Sequence, residues 1–138
     1  MIALTAARRV GVDLEALRDV PEAHRIAERW FTPREQRALA AAPTDRRSEV
    51  FLRSWTRLEA AVKATGEGLT EGLGQWDPRS SIGAGSVDPR SGRAAAPSVT
   101  WSTWTLEPDA RYVGTLVVEG AGQRLVCREL VADPVAER

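Results

Sequence analysis

Apolar and polar residues alternate near the start of the chain. Val10, Val12 and Leu14 interleave with Gly11, Asp13 and Glu15, and this period of two predicts a strand over residues 2–15. Val12 and Leu14 are expected to face the core. A helix is expected from Pro21 to about Trp30, where Ile26 and Trp30 share one face. Thr32-Pro33-Arg34-Glu35 reads as a helix start, with Thr as N-cap, Pro in the first turn and Glu closing a capping box. That helix should run to about Ala42. The longest helix is expected from about Asp45 to Thr65, with an apolar stripe of Val50, Phe51, Trp55, Leu58 and Val62, stopped by Gly66 and Gly68.

The pattern then breaks. Residues 74–98 are rich in Gly, Ser, Pro and Arg and read as a long exposed loop. Three strands are expected after it: Val99–Leu106, Tyr112–Val118 and Arg124–Val131. Gly120-Ala121-Gly122 is expected to form the hairpin turn between the last two. The tail from Ala132 to Arg138 is polar. The order of strand, helices and three strands predicts an α+β unit over residues 1–138, with helices packed on one face of a small, largely antiparallel sheet.

Composition narrows the function. The 138 residues can bury a core without staples, and a formal net charge of zero gives no whole-chain electrostatic case for nucleic acid or an anionic membrane. Cys127 is the single cysteine, so neither an internal disulfide nor a cysteine zinc cluster is expected. No apolar run approaches the ~20 residues of a membrane span, and no basic stretch precedes an apolar one at the start, so a cytoplasmic location is expected. Of 19 basic residues only Lys63 is a lysine. In a chain that otherwise uses arginine, position 63 is a candidate for a need that a compact ammonium meets and a planar guanidinium does not.

Asp13 and Glu15 are two apart on a strand and so stand on the same side. Two like charges so close are unfavourable unless a cation lies between them, and hard carboxylate oxygens suit magnesium. An acidic, solvated strand edge is the plainer reading of these residues alone. Glu59 and Lys63 are four apart near the end of the long helix and share one face, which alone could be an ordinary surface ion pair.

The ordered set of motifs resembles Sfp-type 4'-phosphopantetheinyl transferases, and specifically their carboxyl-terminal half. The segments that carry the resemblance are Gly11-Val12-Asp13-Leu14-Glu15, Phe31-Thr32-Pro33-Arg34-Glu35 and Trp55-Thr56-Arg57-Leu58-Glu59-Ala60-Ala61-Val62-Lys63, followed by Gly66. Trp104 and Tyr112-Val113-Gly114-Thr115-Leu116 are similar to the end of that fold. The resemblance implies Mg2+-dependent transfer of the phosphopantetheine arm from coenzyme A to a serine of an acyl or peptidyl carrier protein. It implies Asp13, Glu15 and Glu59 as metal ligands, Glu59 also as the base for the serine, directly or through a metal-bound water, and Lys63 as the contact to the coenzyme A phosphates.

Three departures accompany the resemblance. Leu58 stands where the family usually has Lys. The family's other half, with its Ser-His-Ser segment, has no counterpart here, and His24 is expected to face solvent rather than replace it. The 74–98 loop has no counterpart either. Self-association into a homo-oligomer is expected through the face the other half would cover. A non-catalytic relative that binds a carrier protein or partner subunit, and a fragment of a longer transferase, are the competing readings. The helical arginines Arg25, Arg29, Arg34, Arg37, Arg46, Arg47, Arg53 and Arg57 could meet an acidic carrier, though most are expected to be solvated.

Overall fold

In the computed structural model, residues 1–66 and 99–129 are described. The expected 74–98 loop, Gly68 and the polar tail lie outside them. Strand β1 (Val10–Ala16) leads into helix α1 (Ala23–Trp30) and helix α2 (Pro33–Ala41). A 3-10 turn, Thr44–Arg46, opens helix α3 (Arg47–Thr65). Strands β2 (Trp101–Leu106) and β3 (Tyr112–Glu119) complete a three-stranded antiparallel sheet of order β1-β3-β2.

The local signals do what their chemistry dictates. Thr32 accepts from the backbone N–H of Glu35, and the Glu35 carboxylate accepts from the backbone N–H of Thr32, so both halves of the capping box form. Gly66 takes φ 75° at the end of α3, a left-handed cap that glycine adopts without a Cβ penalty.

The helices cover one face of the sheet, and it is not the face that Val12 and Leu14 of β1 occupy. Gly11 of β1 lies against Ala60 and Ala64 of α3, and Asp13 shares that side. Val113, Thr115 and Val117, the register partners of Glu15, Asp13 and Gly11, are buried there. Val12 and Leu14 therefore point away from α3, onto a second apolar face with Leu116, Val118, Trp104 and Leu106. The parity of the alternation is as expected, but the side that meets α3 is the opposite one. Gly11 and the two alanines are small enough to let strand and helix backbones close up, and that decides which face the helix takes.

The buried stripe of α3 is also different. Phe51, Leu52, Thr56, Leu58, Ala60, Ala61 and Ala64 are buried, whereas Val50, Trp55 and Val62 are only partly so. Phe51 packs between Phe31 and Trp55, with ring centroids 5.2 Å and 6.2 Å away, in a cluster that ties α1 and α2 to α3 and Val113. A smaller cluster joins Ala60 and Ala64 to Val117 and Trp101.

Two strand expectations fail, and β3 limits both. Residues 2–9 are not a strand, and residues 124–129 form none, so no hairpin closes across Gly120-Ala121-Gly122. β3 is the central strand, and β1 and β2 already occupy its two edges. A strand arriving after the turn finds no free edge of β3. Residues before Val10 likewise outrun β3, whose last rung is Glu119 N–H to the Arg9 carbonyl at 2.9 Å. The glycines still serve the turn, with Gly120 at φ 99° and Gly122 at φ 71°.

Candidate active site

The expected site residues come from two adjoining elements. Asp13 and Glu15 project from β1 toward α3, and Glu59 and Lys63 lie one turn apart on α3, above them. The approach is enforced by Gly11 below and by a buried hydroxyl pair beside it. Thr56 of α3 and Thr115 of β3 are hydrogen-bonded at 3.0 Å, and Thr115 is the register partner of Asp13.

Lys63 forms its ion pair across the strand–helix gap, not along its own helix. Its Nζ donates to Asp13 Oδ1 at 2.6 Å and to the Val12 carbonyl at 3.3 Å. The other oxygen, Asp13 Oδ2, is buried with no hydrogen-bond partner. Glu15 accepts from Arg18 Nη1 at 2.6 Å. Glu59 is half-buried, and burial pushes its carboxyl above the usual range. The charge on Asp13 pushes it further up, Lys63 opposes, and Glu15 adds a smaller push. Asp13, Glu15 and Glu59 thus share one electrostatic neighbourhood. In this conformation, no three His, Cys, Asp or Glu side chains among the described residues stand close enough to hold one ion. Asp13 and Glu15 are turned onto the chain's own cations.

The donor set fits a hard cation. A dry carboxylate oxygen without a partner, beside a carboxyl whose ionisation is resisted by two neighbouring negative charges, is an arrangement that positive charge relieves.

Other expected residues sit elsewhere. His24 is exposed on α1 with Nδ1 3.3 Å from Glu28 Oε1, far from any site role. Leu58 is fully buried, so the residue that replaces the family's usual Lys belongs to the core of this chain. Several helical arginines are taken: Arg25 by Glu22, Arg46 by Glu49, and Arg53 by Glu49 and Glu107. Arg57 donates through Nε to Glu35 Oε1 at 2.6 Å and through Nη2 to Glu35 Oε2 at 3.0 Å, with both side chains largely buried.

Sequence reading missed Gly11, the Thr56–Thr115 pair and the second role of Glu35. A glycine inside an alternating strand was the available signal for a close backbone approach. The threonine pair joins residues 59 positions apart and left no local signal. Glu35 is a cap, as its spacing predicts, and it also clamps Arg57. One carboxylate closes the start of α2 and fastens α2 to α3 two residues before Glu59.

A sequence profile described as the 4'-phosphopantetheinyl transferase superfamily matches residues 9–117. The chain is similar to the 4'-phosphopantetheinyl transferase HetI of Nostoc sp., 33% identical over 122 residues, which are 88% of this chain and 48% of that protein. It is similar to the 4'-phosphopantetheinyl transferase psf-1 of Bacillus pumilus, 34% identical over 99 residues, 72% of this chain and 41% of that protein. The chain thus spans about half the length of these curated relatives. The fold is similar to that of the Thermotoga maritima holo-acyl-carrier-protein synthase, with a TM-score of 0.50 at 21% identity, over 80% of this chain and 61% of that one. The match to the profile spans the strand that carries Asp13 and Glu15, the helix that carries Glu59 and Lys63, and most of β3, and this chain belongs to the 4'-phosphopantetheinyl transferase superfamily.

Proposed function

We propose that this chain transfers the phosphopantetheine arm of coenzyme A to a serine of an acyl or peptidyl carrier protein. The observation that carries this reading is the Asp13–Lys63–Glu59 cluster, with its buried, unpartnered Asp13 Oδ2, set inside a chain of this family.

Asp13, Glu15 and Glu59 would hold Mg2+, which when bound neutralises charge developing on the diphosphate oxygens. The serine Oγ forms a bond to the phosphorus bearing pantetheine, and the bond from that phosphorus to the bridging oxygen breaks. The departing group is adenosine 3',5'-bisphosphate. The serine proton goes to the Glu59 carboxylate, whose proton affinity burial and the nearby Asp13 charge raise above that of an ordinary carboxylate. Lys63 supplies an ammonium beside the phosphates, which stabilises charge there electrostatically.

The described residues contain no helix long and apolar enough to cross a membrane. A cytoplasmic location belongs to the proposal. So does self-association, supported by the apolar residues Val12, Leu14, Trp104 and Leu106 on the sheet face that the described helices leave. The competing reading, a non-catalytic relative that binds a carrier protein or partner subunit, draws support from the carboxylates being held by Lys63 and Arg18. One experiment separates the two. Incubation with coenzyme A, Mg2+ and a panel of apo carrier proteins, read by intact mass, should add one phosphopantetheine group to a carrier. Carriers that bind but never gain mass would favour the non-catalytic relative.

A further inference from the structure

The single lysine of the chain lies on a carboxylate of the site, with its Nζ 2.6 Å from Asp13 Oδ1. The Lys63 side chain is 48% exposed and that of Asp13 only 11%. Asp13 Oδ2 is buried. What remains accessible of Asp13 therefore lies on the side that the ammonium covers. Glu15 is held in the same way by Arg18. The cluster thus carries its own positive charges on two of the three carboxylates assigned to the metal.

We infer that Lys63 is the internal counter-cation of this site: its ammonium and a divalent cation compete for Asp13, and entry of the cation releases Lys63. This rests on the reading that Asp13, Glu15 and Glu59 hold Mg2+. Two cations on one carboxylate oxygen repel each other strongly in a partly buried setting, and magnesium demands a near-ideal shell that a bound ammonium obstructs. The released ammonium is then available to a phosphate group. Cation binding and phosphate binding are thereby coupled, and the coupling acts equally in both directions. An ordinary structural ion pair would stay in place and would leave the two binding events independent.

Because Lys63 is unique, the native chain carries its own probe. The full chain labelled with 15N and 13C in lysine gives one side-chain ammonium signal, followed during a Mg2+ titration that calorimetry monitors in parallel. The signal of the Mg2+-saturated chain should move to the position it holds in Asp13→Asn without the ion. Binding heat with an unmoved Lys63 signal overturns the competition while leaving the metal reading standing. A second measurement does not depend on Asp13→Asn folding. Lys63→Met should bind Mg2+ roughly two- to fivefold more tightly than the wild type, the range expected when a partly exposed ion pair no longer opposes binding. An unchanged affinity overturns the proposal. Heat in neither protein overturns the magnesium reading itself, and the competition with it.

Discussion

Gly11 of β1 lies so close to Ala60 of α3 that a Cβ at position 11 would stand 2.0 Å from the Ala60 carbonyl oxygen and 2.5 Å from the Ala64 nitrogen. Both contacts are backbone atoms, so no side chain can swing aside. Gly11→Ala must push α3 off the sheet, and we expect it to cost about 3 kcal/mol or more, the upper part of the range for overpacking. Urea unfolding measures it. A loss under about 1 kcal/mol would mean that strand and helix are not in such close contact.

Glu35 joins the cap of α2 to Arg57 of α3 in a pair with only 17% and 14% side-chain exposure. Removing the acid takes two hydrogen bonds from the largely buried Arg57 guanidinium and opens the Glu35 half of the capping box. We expect Glu35→Ala to cost about 2–3 kcal/mol, and a double-mutant cycle with Arg57→Met to give a coupling above about 1 kcal/mol. Independent, additive losses would show that the two residues act separately.

Thr56 and Thr115 satisfy each other inside the sheet–helix contact, both almost without exposure. Thr56→Val leaves the Thr115 hydroxyl without a partner and should cost about 1–3 kcal/mol. The double valine variant removes both polar groups with little change of shape and should be more stable than Thr56→Val alone. Thermal unfolding of the set decides it. A double variant as unstable as the sum of the two singles would overturn the pairing.

Glu59 opposes folding in the form its chemistry requires. Burial and the nearby Asp13 charge raise its pKa in the fold above the unfolded value, so the folded state holds the proton more tightly. The associated stability is present in acid and is lost as pH rises through the folded value. Without Mg2+, Glu59→Gln should therefore be more stable than the wild type at neutral pH, and the difference should shrink as pH is lowered to about 4. Saturating Mg2+ should reverse the order, because the amide offers the ion no charge, and transfer to a carrier should be abolished. Melting curves at several pH values, with and without the ion, provide the check. A Gln variant that is less stable than the wild type without the ion would contradict the assigned strain.

The sequence by itself determined whatever depends on neighbours along the chain. The capping box at Thr32 and Glu35, the glycine stop at Gly66, the long α3 and the common side of Asp13 and Glu15 were all legible. Hydrogen-bond caps, positive φ and strand parity are local properties. The motif order of the transferase superfamily was legible for the same reason. Tertiary structure decided the rest. It chose the face of β1 that α3 covers, because only backbone proximity at Gly11 distinguishes the two sides. It denied residues 124–129 a place as a strand by filling both edges of β3. It gave Lys63 to Asp13, 50 positions away, although Glu59 lies one turn away on the same helix face. Spacing shows which residues can share a face; which charge an ammonium meets depends on how two elements dock, and that is set by burial summed over the whole core.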